Sequence, residues 1–380
     1  MYLYLSPFVH LRETAGERYY VCEDPALHSA RRRRGVKYTR ELADILDAFR
    51  NGDRVATVQE RFAAEGLPLD VQLFRTLMDV GLLRPQEMLR TPNPSLEIEI
   101  TSHCNADCTM CPRDQLRPVG RMSEYTFSKV VELLQNNPTQ GVIIQGIGEP
   151  TLHPRLVEYV RTLRMALGEL LPILIVTNGI RMSTELYLRL LAAGATEIQW
   201  SFHALDTGIA AEILGTDRVE HAKENLEGCL RADAKHISVN FVLMERNREE
   251  LATVRNWIRS RGLPPSRMHV IPVFSRGGTV DTEQLFARIH RPTAAPCLYV
   301  RKSVFIAWNG DLLPCSNDIR GEYPYGNVEQ DASGLLLRRW QENLATSEMT
   351  YEICRSCDHH SRSSLRTGWF DAASHTGNTG

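Results

Sequence analysis

"LEIEITSHCNADCTMCP", residues 96–112, passes from a β-forming run directly into three closely spaced cysteines. The segment 96–101 reads as a strand. Cys104, Cys108 and Cys111 then fall within eight positions, and the next cysteine is Cys229. A metal that takes four protein ligands would find its fourth nearby, as the paired C-x-x-C groups of zinc sites do. Three close thiolates predict a site kept one ligand short. A zinc loop, or thiols close by coincidence, is the bland reading.

Outward from this stretch the chain alternates. Candidate strands are 96–101, 141–149, 173–179, 197–203, 236–244 and 267–275. Helical patterns lie between them at 123–136, 154–168, 183–193, 217–232 and 246–261. Strand and helix in strict alternation imply parallel strands joined by helical crossovers. Six such units are too few for a complete eightfold barrel, so an α/β fold with an open, partial (β/α)6 barrel is expected over 91–291. The cysteine loop follows the first strand, at the carboxyl-end face where parallel α/β folds place their sites.

The spacing C-x-x-x-C-x-x-C after a first strand resembles the radical S-adenosylmethionine (SAM) superfamily. By that resemblance Cys104, Cys108 and Cys111 hold three irons of a [4Fe-4S] cluster. The fourth iron takes SAM, which electron transfer cleaves to a 5′-deoxyadenosyl radical; this is why the protein supplies only three thiolates. Cysteine thiolates are the usual ligands of such clusters. "GIGEP", 146–150, is similar to the family's Gly-Gly-Glu-Pro motif, with Ile147 in place of one glycine. Gly146 and Gly148 allow close backbone approach, and Glu149 offers a carboxylate to the SAM ammonium. Asn178 in "TNG", Ser201 in "SFH" and Asn240 on the fifth strand stand where the family places ribose or carboxylate contacts; strand-end capping is their structural alternative. Met110 takes the place where the family often has an aromatic residue beside adenine. His203 has no assigned role.

A second group, Cys297, Cys315, Cys354 and Cys357, supplies four thiolates. With "VFIAWNGDLLPC" read as a hairpin turning at Asn309-Gly310, it resembles the twitch domain of radical SAM dehydrogenases, a shortened relative of SPASM. The resemblance implies one fully ligated auxiliary [4Fe-4S] cluster over 292–360, suited to electron transfer; a four-thiolate zinc site fits the same spacing. A helical pattern at 333–346 precedes "EICRSC". The remaining Cys22 and Cys229 read as buried, inert thiols, which favours oxidation or crosslinking over hydrogen return by a spare cysteine.

Residues 1–90 form a separate region. Bunched β-formers around "TAG" predict a hairpin, "SARRRRGVKYT" a third, edge strand, and helices are expected at 40–50, 53–65 and 69–80. This order resembles the winged-helix recognition domain of enzymes that modify ribosomally made peptides (RiPPs). "RRRR", 31–34, is either solvated surface or a neighbour of that edge strand favouring an acidic leader. "TPNPS", 91–95, is the linker, and 361–380 reads as a disordered tail.

The chain has 380 residues, 43% hydrophobic and 24% charged, with a net charge of −2. That balance carries no whole-chain nucleic-acid signature. The start lacks a basic signal-peptide region and no apolar run reaches spanning length, so a cytoplasmic enzyme with no membrane partner is expected. The functional expectation is oxidative modification of a precursor peptide, with flavodoxin or ferredoxin as electron donor. An aminocyclitol or sugar substrate in antibiotic biosynthesis is the alternative within the same chemistry. A zinc-stabilised DNA-binding regulator is the alternative of another class.

Overall fold

The computed structural model describes residues 2–5, 9–14, 16–22, 36–50, 53–85, 95–113, 118–137, 139–169, 171–282, 285, 303–332 and 351–358. Cys297, Arg31 to Arg34, the helical pattern at 333–346, most of the expected linker and the tail lie outside the described residues. The chain divides into two units, Met1–Pro94 and Ser95–Gly380.

The first unit contains β1 (Tyr2–Leu5), β2 (Val9–Thr14), β3 (Glu17–Cys22), β4 (Val36–Lys37), α1 (Arg40–Ala48), β5 (Asp53–Arg54), α2 (Val55–Ala64), α3 (Val71–Asp79) and β6 (Leu83–Pro85). The expected hairpin is present as β2–β3, with Thr14 opposite Glu17 and Gly16 at φ 77° making the turn. The three helices also fall where their periodicity puts them. The chain start differs from expectation: it pairs with β5 and β6 in a second small sheet, and β4 alone extends the hairpin. "GLLRP", expected only to close the helices, supplies β6. Leu3, Phe49, Phe74, Leu77 and Leu82, all at most 2% exposed, form a core within this unit.

The second unit begins with β7 (Ser95–Ile98) and continues α4 (Glu124–Asn136), β8 (Val142–Ile144), α5 (Leu156–Leu167), β9 (Ile173–Thr177), α6 (Thr184–Ala192), β10 (Glu197–Ser201), α7 (Thr207–Leu214), α8 (Val219–Asp233), β11 (Ile237–Leu243), α9 (Glu250–Ser260) and β12 (Met268–Pro272). Helices start where a side chain can cap them. The Oγ of Ser123 accepts from Thr126 N–H, that of Ser183 from Leu186 N–H, and the Asp206 carboxylate from Ile209 N–H. Ile173 and Ile175, Ile198 and Trp200, and Val239 and Phe241 alternate along their strands into one buried core with the helices.

Beyond the barrel strands come β13 (Ser303–Ile306), β14 (Asp311–Leu313), β15 (Gly326–Asn327) and a short α10 (Glu352–Ser356). The sheet order is β12-β11-β10-β9-β8-β7-β13-β14-β15. Six parallel strands in sequence order are thus an open, partial barrel, and the sheet does not close. The expected hairpin is β13–β14, and β13 lies parallel to β7, with Ile306 opposite Ile98. Among the described residues no helix is long and apolar enough to cross a membrane.

Candidate functional site

The three-cysteine loop leaves β7 and is fixed on both flanks. On one, Ser102 N–H donates to Gly120 O at 3.0 Å and Gly120 N–H to Ser102 Oγ at 2.9 Å. On the other, Asp107 and Thr109 N–H each donate at 2.9 Å to the α7 carbonyls of Leu214 and Ile213. Gly215 ends α7 in the left-handed region at φ 59°, and a Cβ there would come within 2.1 Å of Asp107 O. Within the loop Cys111 N–H donates to Cys108 O at 2.9 Å, and the Arg113 guanidinium to Ala106 O at 2.6 Å.

Burial pushes the Cys104 and Cys108 thiols above the ordinary thiol range, and the nearby Cys111 pushes both further. A cation among them reverses this by favouring the thiolates. Among the described residues no three His, Cys, Asp or Glu side chains are drawn close enough to share one metal ion. That each thiol meets its own iron rests on the family resemblance.

The segment after β8 packs directly on this loop. Glu149 N–H donates to His103 O at 2.8 Å. A Cβ on Gly148 would lie 2.1 Å from Thr101 O, so only glycine permits the approach. Gly146 faces Glu99 in the same way, and Glu99 Oε1 accepts from Ile147 N–H at 3.0 Å. Glu149 is 2% exposed. Its Oε1 accepts from Thr151 N–H at 3.1 Å and from the Thr151 and Thr177 hydroxyls at 2.7 Å. Its Oε2 accepts only from Asn178 N–H, at 2.7 Å, which leaves that oxygen able to take one more donor. Burial raises the Glu149 pKa, against the lowering effect of these hydrogen bonds.

Asn178 closes the other side: its Nδ2 donates to Asn105 Oδ1 at 2.8 Å and reaches Cys104 Sγ at 3.8 Å. Ser201 and Asn240 are direct neighbours across β10 and β11, and Asn240 Oδ1 is buried without a partner in the chain. Met110 is 8% exposed and belongs to the main core, so little of it remains for a cofactor. The structure therefore gathers Cys104, Cys108, Cys111, Gly146, Gly148, Glu149 and Asn178 tightly, with Ser201 and Asn240 on the next strands.

A small cleft runs from Ser201 and His203 past Thr207 and Leu214 to Glu220 and Lys223. Its apolar wall, including Leu214, packs against Cys108. His203 is 3% exposed; its Nδ1 accepts from Val242 N–H at 3.2 Å, which leaves the neutral ring a donor at Nε2. Burial pushes its pKa down to about 4. Sequence reading missed Lys223, Thr151, Thr177 and Asn105. A lone lysine on a helix carries no signal, whereas Asn105 adjoins Cys104 and the two threonines adjoin the motifs.

The second cysteine group is described for three members. Cys315 follows β14 and is 7% exposed, Cys354 lies in α10 at 8%, and Cys357 ends that helix. The loop after Cys315 and the helix of Cys354 converge at Gly277, whose Cβ direction meets Asn317 O at 3.2 Å and Ile353 Cβ at 3.6 Å. Ser275 N–H donates to Asp358 Oδ1 at 2.6 Å, stapling this loop to the end of β12. Tyr325 stands near Cys315 and Cys354, and burial raises its pKa. The residues present suit the implied groups: soft thiolate sets, an approach that only Gly148 permits, and two buried polar atoms, Asn105 Nδ2 and Asn240 Oδ1, left without chain partners.

Two family models match the chain. The radical SAM superfamily model matches residues 98–258, and an iron-sulfur cluster-binding (SPASM) domain model matches residues 297–358. A GTP 3′,8-cyclase of Vibrio cholerae is 29% identical over 201 residues, 51% of this chain and 58% of that protein. A probable GTP 3′,8-cyclase of Sulfurisphaera tokodaii is 27% identical over 184 residues, 48% of this chain and 56% of that protein. The chain thus spans little more than half the length of these relatives. Among solved structures, Streptococcus suis SuiB bound to precursor peptide SuiA matches 95% of this chain and 94% of that one, with TM-score 0.55 and 13% identity. The anSMEcpe structure with bound AdoMet and Kp18Cys peptide matches 72% of this chain and 88% of that one, with TM-score 0.50 and 15% identity. At such identities the likeness is one of fold.

Proposed function

We propose that this chain, a radical SAM enzyme with a second iron-sulfur domain behind its barrel, oxidatively modifies a ribosomally made precursor peptide. In this reading Cys104, Cys108 and Cys111 hold the SAM-binding [4Fe-4S] cluster, and Cys297, Cys315, Cys354 and Cys357 hold one auxiliary [4Fe-4S] cluster. When bound, cluster and SAM supply one-electron cleavage and hydrogen abstraction from carbon. The protein's own share is positioning. Gly148 would give backbone access, the remaining capacity of Glu149 Oε2 would take the SAM ammonium, and Ser201, Asn240 and Lys223, the last now paired with Glu220 at 3.0 Å, would meet its ribose and carboxylate. Gly146 and Glu99 fix the loop that carries them. Cys297, Cys315, Cys354 and Cys357 would hold a group suited to take up the electron that the substrate radical gives up, and a flavodoxin- or ferredoxin-type donor would supply the first cluster.

A separately packed unit ahead of the barrel carries the choice of a peptide. Its β2-β3-β4 sheet ends in a short edge strand, and a peptide can add a strand there. The winged-helix resemblance of this region and the match to SuiB, whose likeness extends through this unit, support the same choice. The test is anaerobic reconstitution with SAM, a reductant and candidate precursor peptides, read by mass spectrometry. The expected result is 5′-deoxyadenosine formed together with a peptide lighter by two hydrogens. Turnover of an aminocyclitol or sugar, with no binding of any peptide to the enzyme, would overturn it.

A further inference from the structure

Every polar atom of the Asn178 side chain is committed to the cysteine loop or its flank. Oδ1 accepts from Ile180 N–H at 3.1 Å, which fixes the orientation of the amide. Nδ2 therefore faces Asn105 Oδ1 at 2.8 Å and Cys104 Sγ at 3.8 Å, a distance at which an amide N–H bonds to sulfur. Glu149 Oε2 holds the backbone N–H from the other side. The residue is 9% exposed, so water does not compete for these bonds. Both N–H donors of the amide are thus spent on the loop, and what is left toward a cofactor is the second lone pair of Oδ1.

We propose that Asn178 is a positioning residue that donates a hydrogen bond to the Cys104 sulfur, with Asn105 as its bracket, and so sets how readily the SAM-binding cluster takes an electron. This rests on the reading that Cys104 is a ligand of that cluster. Hydrogen bonds to ligand sulfur are among the levers that set cluster potentials. Reduction adds negative charge that is shared by the thiolates, so a donor at sulfur stabilises the reduced form more than the oxidised one. Asn105 Nδ2, buried and without a partner in the chain, is a second donor beside the same cysteine.

The test compares the full-length enzyme with Asn178→Ser, whose hydroxyl is too short to reach the sulfur, and Asn178→Asp, which sets acceptor oxygens against a thiolate. Each is reconstituted anaerobically and titrated with reductant at controlled potential, with the reduced-cluster EPR signal as the readout. At the wild-type midpoint the ratio of reduced to oxidised cluster is expected to fall about tenfold in Asn178→Asp, which is about 59 mV for one electron. A fall of about threefold is expected in Asn178→Ser. Iron content stays at the wild-type level in at least one of them. Unchanged ratios in the loaded variants overturn the proposal, as does loss of iron in both variants while the wild type loads fully, since the role is then structural. A wild type that forms no SAM-responsive cluster defeats the underlying reading instead.

Discussion

The Glu149 carboxylate is enclosed by four donors, yet burial still outweighs them and lifts its pKa. Its lone vacancy at Oε2 is therefore a place where a cation pairs strongly. Glu149→Gln turns an acceptor toward Thr177 or Asn178 into a donor, setting two donors against each other. SAM affinity is expected to fall at least about tenfold while iron content is kept, as EPR of the reduced cluster with graded SAM would show. His203 presents the opposite sign of titration. The unfolded chain takes up its proton near 6.5, whereas the folded one does so only near 4. The stability this buried neutral ring contributes is present above pH 6.5 and is lost as pH falls toward 4, roughly 2 kcal/mol of it by pH 5. Thermal unfolding midpoints should drop between pH 7.5 and 5.0 in the wild type, and by visibly less in His203→Gln.

At the scale of elements, the cysteine loop depends on the end of a helix that sequence reading did not find. α7 is eight residues long with a glycine in its first turn, so its periodicity is too short to stand out, and the helical pattern begins only at 217. Gly215→Ala forces a side chain into the left-handed region and against Asp107 O. It should reduce iron loading at the first site by more than half, while far-ultraviolet dichroism stays unchanged. Ser123→Ala removes a cap and the hydroxyl contact to Thr126 Oγ1 and should cost about 1 kcal/mol in denaturant unfolding without touching iron content. All six barrel strands and the five longer helices were legible, because βα units alternate hydrophobic runs with capped helices at regular spacing. The destiny of Glu97 and Glu99 was not. Glu97 sits in the first strand and Glu99 just past its end, 2% and 1% exposed, and Gln145 donates to Glu97 at 2.7 Å. A polar barrel interior needs partners from strands far apart in sequence, which local pattern does not show. The motif residues were legible as a set, but not the bonding that sends Glu149 to Thr177 and Asn178 to Cys104, for the same reason.

At the scale of the whole molecule, the unit Met1–Pro94 has its own core around Phe49, Phe74 and Leu77. It is large enough to fold alone. Expressed as residues 1–94, it should melt cooperatively and show the same mixed helix and strand dichroism predicted from its elements. A non-cooperative melt would mean that its core is incomplete without the barrel. The second unit is joined differently. β13 hydrogen-bonds to β7, and Glu99 N–H donates to Ile306 O at 2.9 Å one step before the cysteine loop. Trp308, at the hairpin tip, donates to Pro118 O at 3.1 Å and covers Gly120, which in turn braces Ser102. The second cysteine loop is meanwhile pinned to the far barrel edge through Ser275 and Asp358. One ladder of backbone bonds thus runs through the strand before Cys104 and the strand before Cys315, as a single plank carries two posts. In the proposed reading the gap an electron would cross is then set by the sheet and does not wait on substrate; a spin-spin separation that stays constant with and without SAM is the expected result.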